Sequence, residues 1–435
     1  GADLRPLRAH ARAVRSVRLF PPRAPLHPRL GEQPGAGVPP AVSDVLGGLK
    51  RRIRRYVVFE GTALVLVLLV LVSPLPAQSQ TQNRAPCQAP DPVCTATSRI
   101  FQISSFDPIA SAVLIAPGLL VTNRHAIADT NDAVISLPQG GHVTGRVVPT
   151  AYLGDLLLLS APEIQAPDPL PTAEVGPESQ LYTIGVDIRR RVIRVYKPGR
   201  LLLPPVAGKP LARMHHDAHS QPGNSGGALV DSKGRLVAIV TSGGEGRNEA
   251  IPASEIKKLK ALSGPQHEAA SHALGLAYRT CIEALEAVPA SRKRIPPKAA
   301  TVLKDQCGRT NNRQLWDLAG QTFGRQGKTE DAIEMFSRAL DQDPNAINSM
   351  LSLAIVLHLS GRYTDEVPLL RRLLKIIPSD AGILRLGVQA GAWGGDKALM
   401  ENSLRLMDTH YPKLAPMARS FIEKNPTPPK RRQKR

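Results

Sequence analysis

The sequence has few aromatic residues and few cysteines. Phe, Trp and Tyr together make up 4% of the 435 residues, whereas Leu, Val, Ile and Ala are frequent. This composition excludes a fibrous or fully disordered chain, and it indicates a globular protein with Pro- and Arg-rich ends. At roughly 100 to 200 residues per domain, the length predicts two or three domains.

Basic residues outnumber acidic ones, but the excess lies at the two ends of the chain. Of the net charge of +20, residues 1–60 carry +8 and residues 424–435 carry +6. A nucleic-acid-binding surface would gather such charges on one folded face, and residues 430–435 have no aromatic platform nearby for stacking bases. We interpret the basic end as a solvated segment and expect no specific nucleic-acid partner.

An apolar run at residues 61–72 has the surroundings of a secretory signal. It follows a basic cluster at residues 50–55 and precedes Ser-Pro-Leu-Pro-Ala at residues 73–77, the order of n-region, h-region and cleavage site. The run is about half of the ~20 residues that span a bilayer, which disfavours the alternative of a membrane anchor. We therefore expect residues 50–77 to be removed and the chain to be exported, periplasmic or secreted, with membrane contact only if the segment is retained.

The segments that flank this signal are not expected to belong to a fold. Residues 1–49 are a low-complexity leader rich in Pro and Arg. Residues 78–97 are interpreted as a linker that leads into the first folded domain.

Four cysteines follow the signal, an even number that is compatible with an oxidising compartment. Cys87 and Cys94 are close in sequence, and Cys281 and Cys307 flank a helical region. Four cysteines allow three connectivities, and free buried thiols are an alternative, so the pairing stays open.

From about residue 99 the sequence consists of short apolar runs broken by Pro, Gly, Asn and Asp. Examples are residues 100–103, 112–115, 133–136 and 156–159. Runs at this spacing predict strands of an all-β barrel or sandwich. No helix-length amphipathic run occurs before about Ser254.

A glycine-rich turn lies within this segment at residues 221–230, where Gln-Pro-Gly-Asn-Ser-Gly-Gly leads into a strand. The glycines allow a sharp bend that exposes Ser225 and lets the amides of Gly223 and Ser225 point at one spot. Two such donors are what a developing oxyanion requires. A plain hairpin connection is the alternative for the turn taken alone.

Two upstream residues supply what a serine nucleophile lacks. Serine needs an imidazole to accept its proton, and the imidazole needs a carboxylate that fixes its tautomer. His125 ends an apolar strand and Asp155 leads into another. Alone, His125 would be a core histidine and Asp155 a turn residue, but together with Ser225 they form a candidate catalytic triad.

The three motifs, in the order His, Asp, Ser, resemble the chymotrypsin superfamily of trypsin-like serine proteases, most closely its bacterial HtrA/DegP-like branch. The resemblance covers roughly residues 99–260. It implies a serine endopeptidase with His125 as general base, Asp155 as orienting carboxylate and Ser225 as nucleophile, and no cofactor. It also implies that Gly223 and Ser225 form the oxyanion hole.

The same resemblance implies a double β-barrel, chymotrypsin-like fold with the triad in the cleft between the barrels. The barrels would cover about residues 98–166 and 174–256, with a crossing linker at 168–173, inside a protease domain at residues 98–262. The strand at residues 236–240 and the edge after it would bind an extended substrate by β-addition. That edge contains the predicted substrate-binding residues Thr241, Ser242 and Gly243.

The primary specificity pocket is less well defined by the sequence. His219 lies six residues before Ser225, where trypsin-like enzymes place the base of the pocket, so we predict a substrate-binding role for it without a cleavage preference. The neighbouring His215, His216 and Asp217 also resemble zinc ligands. No second ligand cluster accompanies them, and we expect a polar loop and no metal.

The periodicity becomes helical after Ser254, and a period of 34 residues follows. Pro344, Pro378 and Pro412 are 34 residues apart, and so are three glycines that begin at Gly327. This is the length of a tetratricopeptide unit, whose stacked helix pairs share a core and commonly bind peptides or proteins.

We therefore predict an all-α array of tetratricopeptide repeats at residues 313–414, preceded by a helical connector at 263–312 and followed by a basic disordered tail at 415–435. The array is expected to bind a protein partner or substrate. One alternative is that it is only a structural dock for the barrels. Another is that the whole chain is a noncatalytic binding scaffold built on a relic protease barrel.

Overall fold

The computed structural model describes residues 87–165, 168–177, 179–244, 246–288 and 295–428. The leader, the signal segment, the first part of the linker and the end of the tail lie outside the described residues. Of the helices within those ranges, none has the length and apolar character needed to cross a membrane.

The described chain begins with a short helix, α1 (Asp91–Ala96), and a disulfide between Cys87 and Cys94. Val93 of α1 is fully buried in the same apolar cluster as residues of the β-barrels. The expectation that residues 78–97 are a linker is therefore wrong for residues 91–96, because Val93 and Ala96 pack into the core of the barrels.

The first barrel is closed by antiparallel strands in the order β1-β2-β3-β6-β5-β4. Its strands are β1 (Ile100–Ser104), β2 (Ala110–Ala116), β3 (Leu119–Thr122), β4 (Asp132–Ser136), β5 (His142–Val148) and β6 (Leu157–Ser160). A single helical turn, α2 (Arg124–Ile127), follows β3 directly. Strands rich in Val, Leu and Ile fit this pleated, buried surface.

The second barrel is a closed ring of six strands in the order β7-β11-β12-β13-β10-β9, and β8 pairs with β7 beside the ring. Its strands are β7 (Gln180–Asp187), β8 (Val192–Val195), β9 (Gly199–Leu203), β10 (Met214–His216), β11 (Ala228–Asp231), β12 (Leu236–Ser242) and β13 (Asn248–Pro252). The predicted chymotrypsin-like double barrel is confirmed.

The two barrels pack against each other through a common apolar core. Ile100 and Val121 of the first barrel belong to the same buried cluster as Ile184 and Ile239 of the second. Since each of these side chains is almost fully buried, the barrels are held in a fixed mutual position. The residues at their junction can therefore form a site of defined geometry.

Helices follow the second barrel in the described part of the chain. They are α3 (Glu255–Ala261), α4 (Glu268–Ala287), α5 (Pro297–Arg309), α6 (Arg313–Arg325), α7 (Thr329–Gln342), α8 (Ile347–Ser360), α9 (Tyr363–Ile376), α10 (Ala381–Trp393), α11 (Lys397–His410) and α12 (Ala415–Lys424). The helices α6 to α11 form three successive pairs, which confirms the predicted tetratricopeptide array.

Helix α4 fastens the helical part to the first barrel. At Gly275 an added Cβ would lie 2.2 Å from the carbonyl oxygen of Ala128, so only glycine permits this close approach. A disulfide joins Cys281 in α4 to Cys307 in α5. Both sulfurs lie in the apolar cluster that contains Trp316 of the first repeat, so the connector and the repeats share one core.

The end of the array differs from the expectation for residues 415–435. Residues Ala415–Lys424 form helix α12 instead of disordered chain, and Ala415 is fully buried in the core of the last repeat. The indole Nε1 of Trp393 donates to the carbonyl oxygen of Asn425 at 3.0 Å. Most of the basic residues after residue 414 follow this helix. The composition of residues 415–435 therefore did not reveal that residues 415–424 form an amphipathic helix at the end of the array.

Candidate active site

The fold brings His125 and Asp155 together at the end of paired strands. His125 lies in α2 immediately after β3, and Asp155 lies just before β6, which pairs with β3. The Nδ1 atom of His125 is 2.7 Å from Oδ2 of Asp155, and the backbone amide of His125 donates to Oδ1 at 2.9 Å. Both residues are almost completely buried, so this pair is shielded from water.

The carboxylate of Asp155 is held by several further donors. Thr241 Oγ1 donates to Oδ2 at 2.8 Å, and the guanidinium of Arg213 lies 4.0 Å from the same oxygen. Burial disfavours the charged carboxylate, but His125 and Arg213 outweigh that penalty and lower the pKa of Asp155. An ionised Asp155 favours the tautomer of His125 that carries its proton on Nδ1.

Ser225 sits on the glycine-rich turn before β11, at the second barrel's side of the junction. Gly223 and Gly226 have φ angles of +94° and +80°, which residues with a Cβ rarely adopt. The hydroxyl of Ser225 donates to the carbonyl oxygen of Thr241 at 3.3 Å. Thr241 therefore contacts the acid through its side chain and the serine through its main chain.

Two amides of the turn are not used in its own backbone hydrogen bonds. Within the described ranges, no backbone carbonyl accepts a hydrogen bond from the amide of Gly223 or Ser225. The side chain of Asn224 points the other way, donating to the Val186 carbonyl at 3.1 Å and accepting from the Gln221 amide at 2.9 Å. The side chain of Asn224 thus holds the turn without using the amide of Gly223 or Ser225.

Ser111, which the sequence did not single out, holds this turn from the first barrel. Its Oγ donates to the carbonyl oxygen of Gly223 at 2.7 Å and accepts from the amide of Val186 at 3.0 Å. Its own amide donates to the Ser225 carbonyl at 2.8 Å. The only local signal was a polar residue in an apolar strand, and the partners of its hydroxyl lie 75 and 112 residues away in sequence.

The predicted substrate-binding edge lies at the end of β12. Thr241 and Ser242 end that strand, and Ser242 directs its hydroxyl to the carboxylate of Glu249, at 2.8 Å. At Gly243 an added Cβ would lie 2.5 Å from Oδ1 of Asn248. Asn248 is thus the side chain that packs beneath this edge, and sequence reasoning missed it because it lies on the next strand.

His219 and its neighbours are spread over different surroundings. His219 is exposed beside the ring of Tyr196, with ring centres 5.7 Å apart, so its role as the pocket base remains a prediction. His215 Nε2 is 3.0 Å from Asp343 Oδ2, and burial, together with His215, lowers the pKa of His216 to about 3. Within the described residues, no group of three or more potential metal ligands is clustered.

Comparison with known proteins finds two family models in the chain. Residues 110–239 match the trypsin-like peptidase domain, and residues 318–381 match the tetratricopeptide repeat. The serine endoprotease DegS of Salmonella typhimurium is 30% identical over 136 residues, which cover 28% of this chain and 36% of that protein. The Do-like serine protease HtrA of Lactobacillus helveticus is 30% identical over 159 residues, which cover 32% of this chain and 38% of that protein. The chain therefore spans little more than a third of the length of these relatives.

Among solved structures, the serine endoprotease from Yersinia pestis is 24% identical to this chain, with a TM-score of 0.35. The match covers 39% of this chain and 64% of that one.

Proposed function

We propose that this chain, which carries a trypsin-like peptidase domain followed by tetratricopeptide repeats, is a serine endopeptidase that hydrolyses peptide bonds of proteins. The observation that supports this most is the 2.7 Å contact between His125 Nδ1 and an ionised Asp155, with Thr241 contacting both Asp155 and Ser225. These are the parts that acyl transfer through a serine requires.

In the proposed mechanism, Ser225 Oγ attacks the substrate carbonyl while Nε2 of His125 accepts its proton. The negative charge on the tetrahedral intermediate is stabilised by the amides of Gly223 and Ser225. His125, stabilised as a cation by Asp155, returns the proton to the leaving amine and an acyl-enzyme forms. Water then attacks the ester by the same proton transfers in reverse, which releases the acid product and restores Ser225.

The substrate would lie in an extended conformation along residues 241–243, pairing with the main chain of this edge. The helical array would bind a protein partner or part of the substrate, as tetratricopeptide repeats do in general. The disulfides Cys87–Cys94 and Cys281–Cys307 support the proposal that the chain works in an oxidising compartment, after export.

The proposal is tested by incubating residues 78–435 with an unfolded protein and following its fragments by mass spectrometry. Peptide-bond cleavage by the wild-type chain, absent from a Ser225→Ala variant, is the expected result. The competing function is a noncatalytic scaffold that binds proteins through its repeats. Binding of the unfolded protein by both forms, without cleavage by either, would favour that scaffold.

A further inference from the structure

A chain of buried charges runs from the helical array to the candidate active site. Its basic members are Arg213, just before β10, and Arg313, the first residue of α6. Its central acid is Glu249 in β13, and Asp343 lies just after α7. All four residues are at most 4% exposed. Charged residues are rarely so buried unless they are paired, so each of these four is expected to have a charged partner.

Arg313 binds the carboxylate of Glu249 through two guanidinium nitrogens. Its Nη1 donates to Oε1 at 2.9 Å, and its Nη2 donates to Oε2. Burial disfavours charge on Glu249, but Arg313 and Arg213 outweigh it and hold the pKa of Glu249 far below its usual range. A bidentate contact of this kind fixes orientation as well as distance. Arg313 thus sets where the Glu249 carboxylate lies.

Glu249 also contacts the predicted substrate edge, at Ser242. Its Oε2 accepts from Ser242 Oγ at 2.8 Å and from Arg213 Nη1 at 3.1 Å. The same Nη1 also donates to Ser242 Oγ at 3.1 Å. Glu249, Ser242 and Arg213 therefore form a closed triangle of hydrogen bonds. The other carboxylate oxygen of Glu249, Oε1, accepts from Arg313 of the array.

Arg213 links Glu249 to Asp155 of the candidate triad. Its Nη2 is 4.0 Å from Asp155 Oδ2, and its backbone amide donates to Asp343 Oδ2 of the array at 3.3 Å. A crevice in this region is lined by Asp155 and Arg213 together with Asn311 and Gln342 from the helical part. The array is therefore packed directly behind the acid of the triad.

We propose that Arg313 is a positioning residue of the active site, through which the helical array orders the substrate edge at Ser242 and the charge beside Asp155. The inference rests on the proposed peptidase function and deepens it. The array is then an integral part of the catalytic unit, and binding of a partner is a separate role.

Other contacts hold the array on the second barrel independently of Arg313. Arg247 Nη1 is 2.6 Å from Asp380 Oδ2, and Asn348 Nδ2 donates to the Arg247 carbonyl at 3.0 Å. Lys209 Nζ donates to the carbonyl of Asp341 at 2.9 Å. Loss of Arg313 therefore leaves the docking in place and removes the clamp on Glu249.

The experiment compares full-length wild type with Arg313→Met, using an extended peptide substrate well below the midpoint of thermal unfolding. Because a misplacement of about 1 Å can cost about 100-fold, we expect kcat/KM to fall roughly 10- to 100-fold, largely through a higher KM. Arg313→Lys, which keeps the charge but not the two-pronged contact, should recover only part of the loss.

The matched control is Arg371→Met, which removes an arginine that pairs with Asp396 within the array and away from the barrels. Its kcat/KM should equal that of wild type. Cleavage by wild type, absent from Ser225→Ala, establishes the peptidase itself, so failure of the clamp and failure of the enzyme are distinguishable.

A lone Arg313→Met change removes one of the two arginines that pair with buried Glu249 and can unfold the chain, so the double variant Arg313→Met/Glu249→Gln is measured beside it. Neutralising both partners should restore the wild-type midpoint of thermal unfolding. It should not restore the wild-type KM, because Ser242 and Arg213 no longer contact a carboxylate at position 249. A folded single or double variant with wild-type kcat and KM overturns the proposal.

Discussion

Replacing Ser111 by alanine should reduce catalysis although the residue is not a member of the candidate triad. Ser111 Oγ is the group that ties the Gly223 carbonyl, at 2.7 Å, to the amide of Val186, at 3.0 Å. The substitution removes one oxygen atom and leaves both backbone groups buried without that partner. We expect a loss of about 1 to 3 kcal/mol in the free energy of unfolding, the usual cost of an unsatisfied buried polar group.

The catalytic effect follows from the orientation of Gly223. The Gly223 carbonyl belongs to the peptide that joins Gly223 to Asn224. With it released, the main chain can rotate at Gly223, which is already at φ +94°, and the amides of Gly223 and Ser225 on either side lose their fixed mutual orientation. Complete loss of one such donor costs about 10²- to 10³-fold in kcat, so partial misorientation should cost roughly 10- to 100-fold. KM should change little, since the substrate edge at Ser242 is untouched.

The assay is steady-state cleavage of a peptide, with stability followed by thermal unfolding of the same samples. The control is Ser403→Ala, which removes an equally buried serine hydroxyl whose bond to the Leu399 carbonyl lies within one helix of the array. That variant should keep its kcat. A folded Ser111→Ala protein with wild-type kcat would refute the role assigned to the hydroxyl.

Two further substitutions test the charges around the site. Asp155→Asn should lower kcat by about 10⁴-fold, measured with the same peptide, because the amide no longer fixes the tautomer of His125; a loss below tenfold would contradict this role. Burial raises the pKa of Asp317 to about 7, although Arg313 opposes the shift. The folded state then binds more protons than the unfolded chain between about pH 4 and 7, so the Asp317 contribution to stability is lost as pH rises through that window. Unfolding of Asp317→Asn should show a gain in stability over wild type that is larger at pH 8 than at pH 5, and an equal difference at both would contradict it.

The sequence predicted those parts of the molecule that depend on local pattern. The strand runs predicted a barrel or a sandwich, and the 34-residue period predicted the repeats. The double barrel was implied by the resemblance to trypsin-like serine proteases. His125, Asp155 and Ser225 each stand in a short recognisable motif. Their assignment as a triad remains a prediction until activity is measured.

The contacts that support the site could not be read in this way because their partners are distant in sequence. Arg313 meets Glu249 across 64 residues, and Ser111 meets Gly223 across 112. A buried charge and a solvated one look alike until the fold places them. Composition also misled at residues 415–424, where the basic residues nearby concealed the apolar face of α12.

The central claim is that Ser225 is an activated nucleophile. A fluorophosphonate probe applied to residues 78–435, followed by peptide mapping, tests it most directly because the reagent modifies serines that a neighbouring base activates. We predict one covalent adduct, on Ser225, that is absent from Ser225→Ala and from His125→Ala. Folded wild-type protein that stays unmodified at Ser225, under conditions that label a known serine protease, would contradict the claim.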